Sequence, residues 1–253
     1  MTEARQREMI RNLFQQLLFP WPQAVILCRH GESEGNVEFA RIARGEATTY
    51  SDDILLRRNM DLRLSPRGEK QAIITGDYLR VLLGGREYVV YCSPFERAIQ
   101  TAELATCRLR NEFKIDERLR EKDFGVFDAL TPAERRKRYE DWVRLKDLLD
   151  KFYFRLPGGE NYPDMILRFK AWLSMIKREH CDQILVVFCH SAIMEAARYA
   201  IEGLNEKTFL ELAETRPIEN ASLLLYRGGT KPNGKPKLYP VNGRPIVPWQ
   251  GKL

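Results

Sequence analysis

The sequence predicts an α/β fold, a three-layer α/β/α arrangement around a mostly parallel central sheet. Short apolar runs alternate with longer segments of helical periodicity, the pattern of a sheet covered on both faces. Helix-start signals follow several of these runs at once: Ser65-Pro66, Ser93-Pro94-Phe95-Glu96 and Thr131-Pro132-Ala133-Glu134 each place proline directly after a capping hydroxyl. The composition is globular, with 44% hydrophobic and 30% charged residues in 253, a length that fits one large α/β domain or two small ones.

Taken in order, residues 4–18 carry an amphipathic stripe (Met9, Ile10, Leu13, Phe14, Leu17, Leu18), ended by Phe19-Pro20-Trp21-Pro22. This helix is expected to pack on the main domain, to meet a second subunit in a homo-oligomer, or to touch a membrane surface. Ala24–Cys28 reads as a buried strand, 36–44 as a short helix and 45–60 as polar loop. A helix runs from Ser65-Pro66 to about Leu83, where Gly84-Gly85 stops it. Tyr88–Cys92 is the second strand, with a helix starting at the Ser93 capping box. Phe113–Asp116 is a short strand, and a helix extends from Thr131 to about Lys151. A helix over 164–179 precedes Ile184–Cys189, the longest apolar run. A helix over 192–202 and a strand over Ser222–Tyr226 close the pattern, and Leu238-Tyr239 can return as an edge strand after Asn233-Gly234. The organisation expected is an N-terminal extension (1–22), a catalytic domain (23–227) and a loosely packed Gly/Pro/Lys-rich arm (228–253).

Composition excludes several classes. A six-residue apolar run is far short of the ~20 residues of a membrane span. The early Glu3 and Glu8 argue against a secretory signal, so a cytoplasmic location is expected. Five cysteines without a CxxC pair suit neither a disulfide framework nor a zinc site. The net charge of +6 is spread along the chain rather than clustered with aromatics, so nucleic acid is not the expected partner; a phosphorylated small molecule accounts for it equally well.

Three strands end in polar clusters: Arg29-His30-Gly31-Glu32-Ser33, Ser93-Pro94-Phe95-Glu96-Arg97 and His190-Ser191. In open parallel sheets ligands bind beyond the carboxyl ends of strands, so two of the three histidines and two arginines converge on one sheet edge. The third, His180, follows Glu179 at a helix end and reads as exposed and inert. Cys28 and Cys189 each precede one of these histidines; they read as buried strand cysteines, with a redox switch as the sharper alternative.

The run Arg29-His30-Gly31-Glu32-Ser33-Glu34-Gly35-Asn36 resembles the signature of the histidine phosphatase superfamily, in its phosphoglycerate mutase-like branch 1, which includes fructose-2,6-bisphosphatases. Leu64-Ser65-Pro66-Arg67-Gly68-Glu69-Lys70-Gln71-Ala72, Ser93–Ala102, Leu119–Gly125, Pro157-Gly158-Gly159-Glu160 and the His190 strand match further family segments in order, over about residues 24–226. The resemblance implies a metal-independent phosphomonoester hydrolase without cofactor. His30 would attack phosphorus and become a phosphohistidine. Glu121 would protonate the leaving oxygen and then activate water. His190, protonated, would donate to the phosphoryl oxygens, with Arg29, Arg97 and Asn36 binding them and Ser191 beside them, where the family usually has Gly. Arg41, Arg44, Arg57 and Arg58 could form a lid or be solvated. The compact interval 122–156 favours hydrolysis. Arg135-Arg136 keeps open a phosphoglycerate mutase-type transfer, and a non-catalytic binder of phosphorylated partners is the third reading. Sugar phosphates, nucleotides and phosphoproteins all suit these residues.

Overall fold

The computed structural model describes residues 21–230, 233 and 236–253. The amphipathic stripe over 4–18, and with it the expected oligomer contact, lies outside the described residues. Six strands form one sheet: β1 (Ala24–Arg29), β2 (Val89–Cys92), β3 (Lys114–Ile115), β4 (Ile184–Cys189), β5 (Leu223–Thr230) and β6 (Pro236–Pro240), in spatial order β3-β2-β4-β1-β5-β6. The first four are mutually parallel, and β5 and β6 add an antiparallel edge. The mixed, mostly parallel three-layer fold is the one the alternating pattern predicts.

Side chains of β4 alternate between two cores, as the strand period of two requires. Leu185, Val187 and Cys189 join Phe169, Trp172 and Ile176 of α7 (Tyr162–Glu179) and Ile193, Met194 and Ala197 of α8 (Ser191–Arg198). Ile184, Val186 and Phe188 face the opposite way, onto Leu79 and Leu83 of α3 (Pro66–Leu83) and Ala98, Ile99 and Ala102 of α4 (Glu96–Thr106). Each such side chain contributes roughly 1.5–3 kcal/mol by leaving water, which is why β4 reads as one unbroken apolar run.

Several boundaries differ from expectation for local reasons. Ser33 caps α1 (Glu34–Ala43), so that helix starts two residues early. Within the supposed loop a single helical turn, α2 (Asp52–Leu55), buries Ile54. The helix expected over Thr131–Lys151 is two, α5 (Pro132–Arg138) and α6 (Glu140–Tyr153), because Tyr139 leaves helical geometry and turns its ring onto Phe127. After α8 the chain makes one wide π turn, Tyr199–Gly203, before α9 (Glu206–Thr215).

The C-terminal residues are not a loose arm. The division expected after residue 227 falls inside β5, β6 pairs along Tyr226–Thr230, and Ile246 bridges Leu223. The Trp249 indole donates to the Asn220 carbonyl at 2.6 Å. His180 is likewise corrected: it is buried, bonded through Nε2 to the Tyr91 hydroxyl at 2.7 Å and through Nδ1 to Gln183 at 2.6 Å. Among the described residues no helix is long and apolar enough to cross a membrane.

Candidate active site

The sheet register builds the centre. Arg29 of β1 pairs with Cys189 of β4, so His30 and His190 are the next residues on two adjacent parallel strands. Their rings meet edge to face, with centroids 5.1 Å apart. Beyond β2, Ser93 continues the ladder by donating its N–H to the Phe188 carbonyl.

Close backbone packing then aims His30. The turn after β1 lies against the start of α3, where a Cβ on Gly68 would stand 1.9 Å from the Glu32 carbonyl oxygen and one on Gly31 would stand 2.4 Å from the Gly68 carbonyl. The glycines of both motifs are therefore a steric requirement. Gln71 and Thr101 accept the N–H groups of Glu32 and Gly31. His30 Nδ1 lies 2.7 Å from the Gly31 carbonyl, which can only accept, so the proton sits on Nδ1 and Nε2 carries the lone pair. Arg97 Nε, 3.3 Å away, donates to that lone pair.

Arg97 and Arg29 flank the imidazoles. Arg97 is buried on the first turn of α4, anchored by Nη1 to the Asn59 carbonyl at 2.7 Å, and lies over the Phe95 ring. Arg29 donates Nη1 to the Ile218 carbonyl at 2.6 Å, while its Nε is buried without a partner among the described residues. Burial costs these cations and lowers both pKa values, that of Arg97 to about 10. Burial first, and the two guanidiniums second, hold His30 well below its ordinary value, so its ring is neutral at pH 7.

The same forces act on His190, led by burial and then Arg97, and hold it well below its ordinary value while no anion is bound, because an imidazolium here would face two guanidiniums. A phosphoryl dianion is the charge that would reverse the balance. Ser93 Oγ lies 2.8 Å from His190 Nε2 and accepts the Phe95 N–H. The Ser93 capping box is accordingly absent: α4 starts from Phe95, and the hydroxyl serves the histidine instead. His190 Nδ1, buried with no hydrogen-bond partner among the described residues, faces Glu121 Oε2 at 3.9 Å.

Glu121 is held by Arg168, which no sequence motif singles out, and by the Pro157–Glu160 segment. Arg168 of α7 donates to the carbonyls of Arg118 and Glu121 and forms a two-bond pair with Glu160. The Pro157-Gly158-Gly159-Glu160 segment packs under the same stretch, with Gly159 bridging Phe124 and the Glu160 N–H donating to the Asp123 carbonyl. Burial raises the Glu121 pKa against the opposing pull of the Lys122 N–H and the two arginines, so the proton needed by a general acid is retained to higher pH.

Asn36 and Ser191 line the same cavity, of about 340 Å³, as Arg29, His30 and Arg97. The Asn36 amide oxygen accepts from the Ser33 N–H and hydroxyl and from Asn220 Nδ2, leaving its own NH₂ as the outward end. Asn220 also donates to the His30 carbonyl, a link no sequence pattern announces because Asn220 sits in a loop. Of the four arginines of the polar stretch only Arg57 lines the cavity, paired with Glu34 and Asp53; Arg41, Arg44 and Arg58 pair with neighbouring carboxylates. Cys28 and Cys189 are buried free thiols whose pKa burial pushes up, which favours the ordinary reading over a redox switch.

A second cavity of about 330 Å³ adjoins the first through Glu121, Phe124, Arg135 and Ser191. Four cations (Lys122, Arg135, Lys146, Lys151) face four carboxylates (Glu121, Asp123, Glu160, Glu195) across Phe127, Phe154 and Leu156. One ligand atom each from His30, Glu121 and His190 lie within 4.8 Å of one another, a spacing a divalent cation can bridge. The adjacent guanidiniums oppose a cation there and favour an anion.

Comparison with known proteins agrees with this geometry. A family model for the histidine phosphatase superfamily (branch 1) matches residues 25–231. The rat 6-phosphofructo-2-kinase/fructose-2,6-bisphosphatase 1 is 32% identical over 173 residues, 68% of this chain and 31% of that protein. The human form 3 is 31% identical over the same share of this chain and 28% of its own. The chain thus spans less than a third of the length of these curated relatives. Among solved structures, a mycobacterial glucosyl-3-phosphoglycerate phosphatase superposes with a TM-score of 0.63 at 20% identity, covering 88% of this chain and 99% of that one. YhfR of Bacillus stearothermophilus gives 0.64 at 21%, covering 89% and 98%. Paired strand-end histidines beside the buried Arg97 and the half-buried Arg29 are thus accompanied by a family match over most of the sequence, and the chain belongs to branch 1 of the histidine phosphatase superfamily.

Proposed function

We propose that this chain hydrolyses monoesters of phosphoric acid, carried by a small molecule, through a phosphohistidine on His30. The observation that carries the reading is the unprotonated Nε2 of His30, fixed by the Nδ1–H bond to Gly31, hydrogen-bonded by Arg97 and set beside His190. A neutral imidazole lone pair beside concentrated positive charge suits attack on a phosphoryl group.

In the first step Nε2 bonds to phosphorus as the bond from phosphorus to the ester oxygen breaks. Glu121 gives its proton to that oxygen, and the alcohol leaves. In the second step water attacks the phosphohistidine while the Glu121 carboxylate takes a proton from it. Phosphate departs, and Nε2 regains its lone pair. Arg29, Arg97, His190 and the Asn36 NH₂ supply donors to the equatorial oxygens, where negative charge concentrates. The second cavity, beyond Glu121, is where the alcohol would lie. The balanced charges there favour release of that alcohol to water over the retention that a mutase requires.

Rapid mixing with a ³²P-labelled aryl phosphate, followed by denaturation, tests the reading. The expected result is transient, acid-labile, base-stable label on His30, none in His30→Ala, and turnover unchanged by EDTA. Binding without label or turnover would identify a non-catalytic binder, and activity lost on chelation would replace the mechanism.

A further inference from the structure

The segment between α9 and β5 touches three of the residues that line the phosphoryl cavity. The Ile218 carbonyl accepts Arg29 Nη1, and the Ser222 carbonyl accepts the Arg29 N–H. The Ala221 N–H donates to the His30 carbonyl at 3.0 Å. Asn220 Nδ2 donates to the same oxygen at 3.2 Å and to Asn36 Oδ1 at 3.1 Å. Arg29, His30 and Asn36 are thus all held by residues 218–222. The turn itself is braced. Ala221 is fully buried and takes a left-handed φ of 51°, a costly conformation for a residue with a Cβ. Thr75 Oγ1 of α3 donates to the Ala221 carbonyl at 2.9 Å, and the Trp249 indole donates to the Asn220 carbonyl on the other side.

The direction of the amide relay is fixed from one end. The His30 carbonyl can only accept, so Asn220 must present its NH₂ there, and the second hydrogen of that NH₂ meets Asn36. Asn36 must answer with its oxygen, which also accepts the Ser33 N–H and hydroxyl. Its own NH₂ is then left for the cavity that it lines with Arg29, His30 and Arg97. We propose that Asn220 is a positioning residue: it orients the Asn36 amide so that a donor rather than an acceptor meets the phosphoryl oxygens, and it ties that donor to the backbone of His30. The inference rests on the phosphomonoesterase reading, which supplies the anion.

The test is a double-substitution cycle read by calorimetric binding of inorganic phosphate to the full chain. Asn36→Ala should weaken binding about tenfold. Asn220→Ala should weaken it about fivefold or more where Asn36 is present, and less than about twofold in the Asn36→Ala background. Asn220→Asp, nearly the same size but unable to donate, should bind phosphate more weakly still, because its carboxylate draws the Asn36 NH₂ inward and turns the Asn36 oxygen towards the anion. Partial unfolding lowers the binding stoichiometry and leaves the dissociation constant of the folded fraction unchanged, so a merely structural role does not reproduce this pattern. An equal effect of Asn220→Ala in both backgrounds, or dissociation constants unmoved by both Asn220 substitutions, would overturn the positioning role. Turnover of phenyl phosphate is followed on the same preparations. The expected coupling in phosphate binding, with no turnover by the unsubstituted chain, would reject the hydrolase reading alone. An unsubstituted chain that binds no phosphate would reject both.

Discussion

The two adjoining cavities have nearly the same volume and opposite electrostatic designs. In the first, Arg29 and Arg97 have no carboxylate hydrogen-bonded to them among the described residues, and Nη1 of each is held by a backbone carbonyl that anchors without neutralising. In the second, Lys151 is bonded to Glu195, and cations and carboxylates are equal in number. Fixing guanidiniums with carbonyls leaves their charge available to a ligand; fixing a lysine with a carboxylate removes it. On the proposed function, the first region would hold the phosphoryl dianion and the second the group that carries it, and substitutions should separate the two roles.

The largest effect should come from Arg97→Lys. A lysine cannot both reach the Asn59 carbonyl and present a planar fork beside His30. We expect kcat/KM to fall by about 10²–10³-fold for every monoester tested, and a loss that depended strongly on the leaving group would break the division between the cavities.

Glu121 stands at their junction, and Glu121→Gln should slow alkyl phosphates by about 10²-fold or more while leaving good aryl leaving groups much less affected. The pH profile sharpens this. Its acid limb follows His30, whose pKa lies below the ordinary 6.5, and its alkaline limb follows Glu121, whose pKa lies above the ordinary 4.5. Activity therefore rises as His30 loses its proton and falls as Glu121 loses its own. The Gln variant should keep the first limb and lose the second, and an unchanged alkaline limb would remove Glu121 from the acid role.

Phe124, partly exposed and lining both cavities, should matter less. Phe124→Ala is expected to raise KM about tenfold for aryl phosphates with little change for acetyl phosphate, which is too small to reach the second cavity. The smallest effect belongs to Trp249, which supports only the phosphoryl side through Asn220. Trp249→Phe should cost about 1 kcal/mol in urea denaturation, and a loss of selectivity among leaving groups there would contradict the partition.

Much of the phosphoryl cavity was legible because its residues sit where periodicity stops. Arg29-His30 and His190 interrupt apolar runs so abruptly that a strand end is the natural reading, and the strand-end rule supplies the convergence. Residues whose partners are distant in sequence were not legible. His180 looked exposed because its neighbours are polar, but Tyr91, 89 residues away, buries it. Ser93 satisfied a local capping pattern, yet its hydroxyl is drawn to His190 across the sheet. Arg168, Asn220 and Glu195 lie on helix faces or loops where a charged or amide side chain is ordinarily solvated, and only tertiary packing turns them inward. The second cavity follows the same logic: it is assembled from the loop after β3, four helices and the turn before α7, and no local pattern links them.

The rung between Arg29 and Cys189 also works as an alignment gauge. Adding or deleting one residue inside β1 would invert its in-and-out alternation, and a shift of two would carry His30 roughly 7 Å along its neighbour. A frame error of that kind could leave a folded sheet with both rings present and no longer paired, so the spacing within this one strand should tolerate exchange of side chains far more readily than any change in length.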